Sequence, residues 1–212
     1  MAGKTNQSMS IILYRIILLG LLSVSALGNP GAVRAQKTSA AIEQMLRGRD
    51  AQIKKIIGKT DSLSDPQRET LKDVINGVID FEAMSRSALG PHWKPLSPEE
   101  RKEFVDVFAD IVRSQSLSNL DVYRSTVTYD EISVDGDEAQ VVTTTLYKDV
   151  PTKVEYDMVF RDDEWHITDI ILDEVSTTQG YARSFQSVVR KKGFEALMAS
   201  LVKRRDREEG RS

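Results

Sequence analysis

The sequence predicts an α+β fold in which helices pack on one face of a curved antiparallel four-stranded sheet. Apolar residues recur at helical spacing over residues 38–119 and again over 177–202. Residues 123–174 instead alternate between apolar and polar side chains, and short turn sequences separate four such stretches. This order of four helices, four strands and two helices is typical of an antiparallel meander that is covered by helices.

The first 35 residues have the layout of a secretory signal peptide. A basic start precedes an uncharged apolar run from Ile16 to Leu27, and Ala35 is the small residue that a signal peptidase accepts. The run is shorter than the roughly 20 residues that span a bilayer, so an uncleaved anchor is the less favoured alternative. We expect export with cleavage after Ala35 or, as second choice, after Gly28. Residues 36–202 then form one domain, and residues 203–212 a charged tail.

Composition excludes several classes of protein. Without residues 1–35 the chain has 26 basic and 32 acidic residues, a formal charge of −6. That charge is a poor match for nucleic acid and for anionic membrane surfaces. The absence of cysteine excludes a disulfide framework, a thiolate nucleophile and the usual structural zinc sites. The remaining 177 residues suffice to bury a core without disulfides.

The helices before the strands have recognisable ends. Gly58 is typical of a C-terminal cap for the first helix, and Asp65 before a proline marks the start of the second. Asp80 is a suitable N-cap for a short third helix. In the fourth, Ser97 is the N-cap and Glu100 completes a capping box.

The strand EWHITDIILD contains the histidine and carboxylates from which a hydrolase or metal site is built. In a regular strand His166 and Asp169 point to opposite faces, although the apolar phase shifts between Ile167 and Ile170 as a bulge would cause. The following hydroxyls, from Ser176 onward, are typical of a helix N-cap. We therefore interpret the segment as a strand followed by a helix.

No motif predicts a cofactor or metal ion. The two histidines, His92 and His166, lie far apart in the chain and have no cysteine partners. The nucleotide-binding patterns GxGxxG and GxxxxGK[ST] are missing, as is the hydrolase pattern GxSxG. A further hypothesis concerns the helix over residues 177–192, whose first N–H groups and Arg183 could bind an anion at the mouth of a cavity.

Three stretches resemble the MlaC, or toluene-tolerance, family of periplasmic phospholipid-binding proteins. They are DFEAMSRSALGPHWKPLSPEERKEF (80–104), VPTKVEYDM (150–158) and EWHITDIILDEVSTTQGYARSFQSVVRKKGFEALMASL (164–201). They occur in the family's order, and the resemblance extends from about residue 42 to residue 202. Together with the signal peptide, it predicts a protein of this family located in the periplasm.

The resemblance implies a fold related to the NTF2-like cone, with a deep apolar lipid pocket between helices and sheet. It implies a carrier, not an enzyme, that shuttles phospholipid between the outer and inner membranes and so maintains outer-membrane lipid asymmetry. Its implied partners are an inner-membrane ABC transporter complex with an MCE-type subunit and an outer-membrane lipoprotein complex. A monomer is the simplest expectation for such a shuttle, and no cofactor is implied.

Apolar phase assigns ten residues to the wall of the lipid pocket. They are Trp93, Phe104, Phe108, Val142, Tyr156, Met158, Trp165, Val175, Tyr181 and Phe185. Three alternatives remain open at this point. One is a small NTF2-like periplasmic enzyme, in which Asp157 or Asp169 acts with Tyr156 in an apolar cavity. The others are an adaptor domain with a solid core and a carrier of a hopanoid-type lipid.

Overall fold

The computed structural model of the protein describes residues 37–59, 63–117, 120–208 and 210. The predicted signal peptide, residues 1–35, lies outside the described residues. Among those that are described, no helix is both long and apolar enough to cross a membrane.

Within the part of the chain that the structure describes, four α-helices precede the sheet, as predicted. They are α1 (Ser39–Ile57), α2 (Asp65–Asn76), α3 (Phe81–Leu89) and α4 (Pro98–Ser116). The Asp80 carboxylate accepts the backbone N–H of Ala83 at 2.9 Å, which makes it the N-cap of α3. Ser97 and Glu100 form the capping box of α4, with bonds of 3.2 and 2.7 Å. Local sequence therefore sets where these helices begin.

The sheet has five antiparallel strands in chain order rather than the predicted four. They are β1 (Thr126–Asp135), β2 (Glu138–Tyr147), β3 (Val150–Arg161), β4 (Glu164–Leu172) and β5 (Val175–Ser176). The extra strand has only two residues, which pair with the end of β4 after a two-residue turn. A pattern of alternating residues cannot be recognised over so short a stretch, so the sequence did not reveal it.

A bulge in β4 explains the shift of apolar phase seen in the sequence. Met158 pairs with Ile167 and Asp157 pairs with Asp169, so Thr168 is the extra residue. Ile167 before the bulge and Ile170 after it consequently face the same side of the sheet. We call this side, which also carries Val141, Thr143, Val154, Met158 and Trp165, the inner face.

The helices do not all lie on one face of the sheet. α1 packs on the inner face, where Ile42 joins the sheet cluster, an apolar cluster formed with Val78, Ala139, Val141, Met158, Trp165 and Ile167. α3 and α4 instead pack with α5 (Thr177–Lys192) and α6 (Phe194–Glu208) into a bundle beside β4. The bundle has its own apolar core, which we call the helical cluster. Its buried residues are Met84, Ala88, Leu89, Trp93, Phe104, Val107, Phe108, Ile111, Phe185, Leu197, Met198 and Leu201. A third, smaller cluster joins α1 and α2 through Ile53, Ile57, Leu63 and Leu71.

The chain just before α3 connects the bundle to the sheet. Ile167 donates its N–H to the carbonyl of Val78 at 2.8 Å, and Asp80 donates to the carbonyl of Ile167 at 2.9 Å. The Asp80 carboxylate, almost fully buried, also forms an ion pair with Arg161 at 2.9 Å, although without the alignment of a hydrogen bond. Backbone pairing and an ion pair thus hold the start of α3 against the sheet.

α6 continues six residues into the predicted charged tail. Lys203 to Glu208 are helical, and Arg204 and Glu208 form an i,i+4 ion pair at 2.9 Å. Lys, Arg and Glu are also good helix formers, so a charged sequence need not be irregular.

Candidate functional site

The structure divides the ten predicted pocket residues between two apolar clusters. Those in or against the helical cluster are Trp93, Phe104, Phe108, Tyr181 and Phe185. Those in or against the sheet cluster are Tyr156, Met158 and Trp165. Ile79 packs against both clusters, so they meet at the segment between α2 and α3. Eight of the ten are thus in apolar surroundings, but they do not face one common space.

The helical cluster is a closely packed aromatic core. The ring of Phe108 lies 5.8 Å from that of Phe104, 5.6 Å from Phe185 and 4.8 Å from Tyr181, measured between centroids. The Tyr181 hydroxyl donates to the Gln115 side chain at 2.7 Å. Each such aromatic pair contributes about 0.5–1.5 kcal/mol beyond its buried area. These rings therefore stabilise the bundle, and a ligand would have to displace them to enter it.

The inner face of the sheet carries neutral hydroxyl groups among its apolar side chains. The Thr143 hydroxyl donates to the carbonyl of Val154 at 2.9 Å and is also hydrogen-bonded to Tyr156. Burial raises the pKa of Tyr156, and burial with the neighbouring Tyr156 raises the pKa values of Tyr123 and Tyr129 to about 12. These phenols stay protonated at neutral pH and so add no charge to the inner face, although the guanidinium of Arg47 in α1 stacks over the Tyr129 ring at 4.5 Å.

One end of the inner face is apolar and exposed to water. Val150, Leu172 and Val175 are 60, 48 and 60% exposed, and we call this group the open end. Leu172 is paired with Val154, which is buried, and with Val175, so the open end continues a buried row of the sheet. The predicted pocket residue Val175 lies here, outside both clusters. Exposed apolar groups that extend a core are typical of a binding surface.

Val142 lies on the outer face rather than in the pocket wall. Its neighbours Val141 and Thr143 are buried on the inner face, and Val142 pairs with Glu131 and Glu155 across the two adjacent strands. Two consecutive valines do not reveal which of them faces the core. The sequence analysis selected Val142, whereas Val141 is the one on the inner face. It also missed Leu172, whose position follows from the phase shift at the bulge.

Asp169 is a structural cap and not an unpaired catalytic acid. Its carboxylate accepts the N–H and hydroxyl of Thr178 at 3.0 and 2.6 Å, the N–H of Ile170 at 2.8 Å, and the hydroxyl of Ser176. The Ser176 hydroxyl in turn accepts the N–H of Gln179 at 3.0 Å. The N–H groups of Thr178 and Gln179 are therefore already bonded within the protein and are not available to the predicted anion.

The other candidate groups also have ordinary surroundings. The ring of His166 contacts the carbonyl of Arg161 at 3.2 Å, and Asp157 accepts a long bond of 3.4 Å from Gln140. Within the described ranges, no three His, Asp or Glu side chains are placed to hold a metal ion. Neither Asp157 nor Asp169 is therefore the buried, unpartnered acid that the enzyme alternative requires.

Two surface clefts flank the sheet. One, of about 230 Å³, is lined by residues that include Arg49, Phe160 and Trp165. The other, of about 340 Å³, lies between α3, α5 and the polar side chains around the β4 bulge. Both have mixed polar and apolar walls, so neither is the predicted deep apolar pocket. Between α1 and the sheet, the apolar side chains of the sheet cluster pack on one another.

The fold matches that of a lipid-binding protein of known structure. The chain is similar to a phospholipid-binding protein from Ralstonia solanacearum that was solved in complex with a phospholipid, with a TM-score of 0.66 and 18% identity. The match covers 80% of this chain and 97% of that one, and at this identity it establishes a shared fold. The relation to the NTF2-like cone stays a prediction.

The family follows from the sequence itself. A family model described as MlaC protein matches residues 49–203, and the chain therefore belongs to the MlaC family. The resemblance seen in the sequence is thereby confirmed. No curated protein matches the chain.

Proposed function

We propose that this protein is a periplasmic phospholipid carrier that moves lipid between the outer and inner membranes and so maintains outer-membrane lipid asymmetry. The observation that carries the proposal is the open end, where Val150, Leu172 and Val175 extend the inner face into water. Family membership and the phospholipid-bound relative of the same fold support it. The open end is then the place where acyl chains enter.

The free energy of an exposed lipid sets the size of the site. Each methylene in water costs about 0.8 kcal/mol, so two chains of about 14 methylenes cost on the order of 20 kcal/mol. A carrier has to cover nearly all of this surface. The clefts of about 230 and 340 Å³ are at the small end even for drug-sized ligands. Binding therefore requires the inner face to open, and we infer that α1, which covers it through Ile42, moves away.

The chemistry of the inner face accounts for a broad choice of lipid. Its hydroxyl groups, such as those of Thr143 and Tyr156, are neutral and already hydrogen-bonded. These hydroxyl groups carry no charge that would select one head group. The head group itself stays in water. We propose that the direction of transport comes from the relative affinities of the transporter and lipoprotein complexes, because the chain has no nucleotide motif of its own.

Native mass spectrometry of residues 36–212, exported to the periplasm and purified without detergent, tests the proposal. We expect an added mass of about one phospholipid that is lost on denaturation and identified in the organic extract. A hopanoid-type lipid in the extract would instead establish the alternative ligand. A bare polypeptide mass that does not change after incubation with phospholipid vesicles would refute the carrier.

Two leucines provide a matched test of the open end. Leu172 on the inner face and Leu146 on the outer face are 48 and 46% exposed. Leu172→Gln should lower the affinity for phospholipid about tenfold, because a covered leucine contributes about 1.5–3 kcal/mol. Leu146→Gln should leave the affinity unchanged. Equal effects of the two substitutions would show that acyl chains do not lie at the open end.

A further inference from the structure

Charge is divided unevenly between the parts of the fold. Residues 126–176, which form the sheet, contain 14 acidic and three basic side chains, a formal charge of −11. Residues 177–208, which form α5 and α6, contain eight basic and three acidic side chains, a formal charge of +5. Acidic and basic side chains balance over residues 37–125, at 14 each. An acidic protein thus has one positive region, which we call the basic hairpin.

The cations of the basic hairpin are available at its surface. α5 has no acidic residue, and its Arg183, Arg190, Lys191 and Lys192 are all exposed. No ion pair joins any of these four to a described residue. The two helices of the hairpin pack side by side, and the side chain of Arg204 in α6 is hydrogen-bonded to Tyr181 in α5. Arg183 and Arg190 are seven residues, or about two turns, apart, so they lie on the same side of α5, and Lys191 follows directly.

Helix stability accounts for only part of this charge. Arg190, Lys191 and Lys192 lie in the last turn of α5, where cations interact favourably with the helix dipole. Arg183 lies in the second turn of α5 and gains nothing from that interaction. Lys203 in α6 is likewise exposed without a described acidic partner. A surface that attracts anions explains all of these positions together.

We propose that the basic hairpin docks the protein on anionic lipid membranes, with the acidic sheet turned away from the bilayer. The inference rests on the proposed function, since a lipid carrier has to reach a membrane. Each Lys or Arg near an anionic bilayer strengthens binding about fivefold, whereas the charge of −11 on the sheet is repelled. The exposed apolar residues of the open end are not part of the hairpin, so docking is electrostatic, reversible and weakened by salt.

Vesicle co-sedimentation tests the docking surface. We expect the full mature chain to bind vesicles of phosphatidylcholine with phosphatidylglycerol, more strongly at low than at physiological salt, and not vesicles of phosphatidylcholine alone. The triple variant Arg183→Gln, Arg190→Gln and Lys191→Gln should bind the anionic vesicles on the order of 100-fold more weakly. Native mass spectrometry of the same variant should still show bound phospholipid.

A matched control removes three exposed cations elsewhere, with Lys55→Gln, Lys59→Gln and Arg68→Gln in and next to α1 and α2. It changes the net charge equally, and we expect at most a few-fold loss of binding. Membrane docking would be overturned if both variants lost vesicle binding equally, or if the wild type showed no preference for anionic vesicles. An acidic protein surface would then be the partner of the basic hairpin. Wild-type protein without lipid in native mass spectra would count against the carrier itself, independently of the vesicle result.

Discussion

The carboxylate of Asp169 joins the end of the sheet to the first turn of α5, so its removal should be costly. It accepts four hydrogen bonds from three residues. We expect Asp169→Ala to lower the free energy of unfolding by about 2–4 kcal/mol, because hydrogen bonds to a charged group contribute about 1.5–3 kcal/mol each and partly overlap. Urea denaturation measures the change.

Asp157 is the matched control, since it stands directly opposite Asp169 on β3. Among the described residues, its carboxylate accepts only the long bond from Gln140. Asp157→Ala should be neutral or slightly stabilising, because it removes a like charge from across the strand pair. A loss as large as that of Asp169→Ala would show that the cap is not the source of the effect.

Tyr123 should make the fold sensitive to alkaline pH. Burial raises its pKa to about 12, above the value near 10 that it has in an unfolded chain. The protonated form is therefore favoured in the folded state, and its stabilisation is complete below pH 10 and is lost as the pH rises toward 12. Each pH unit in this window should cost about 1.4 kcal/mol. Urea titrations across this range give the free energy of unfolding as a function of pH. Tyr123→Phe should make its decrease with pH less steep, and an unchanged dependence on pH would exclude Tyr123 as the cause.

At the scale of elements, the β2–β3 turn is built from residues that disfavour its backbone conformation. Lys148 and Asp149 have φ values of 50° and 63°, in the left-handed region that favours glycine. We expect Asp149→Gly to raise the free energy of unfolding by about 0.5–1 kcal/mol, because relief of strain exceeds the added entropy of the unfolded chain. Asp149→Ala should not stabilise in the same thermal unfolding measurement, and a gain with alanine would exclude backbone strain as the cause.

Sequence alone predicts the elements that depend on local signals. The caps at Asp80 and Ser97 mark where helices begin, and the bulge in β4 follows from its shifted apolar phase. Long-range pairing was not predictable, because nothing local indicates that residues 78–80 bind the edge of β4. The apolar character of the pocket residues is a local property and was recognised. Their division between two clusters depends on long-range packing and required the structure.

For the molecule as a whole, the charge of −11 on the sheet should make stability depend on salt. Raising NaCl from about 10 to about 150 mM shortens the Debye length from about 30 to about 8 Å and screens repulsion between the strands. We expect the free energy of unfolding in urea to rise on the order of 1 kcal/mol. The double variant Glu138→Gln and Asp163→Asn, which removes exposed charges at one end of the sheet, should show a smaller increase. An equal increase would point to salt effects other than charge repulsion.

The division of the core into clusters gives the protein two built-in optical reporters. The chain has two tryptophans, and Trp93 lies in the helical cluster while Trp165 lies in the sheet cluster. Trp93→Phe leaves an indole whose emission follows the sheet, and Trp165→Phe leaves one that follows the bundle. A ligand that enters over the inner face should shift the fluorescence of the first variant and leave that of the second unchanged. The same pair of variants reports during unfolding whether the two halves melt together or in turn.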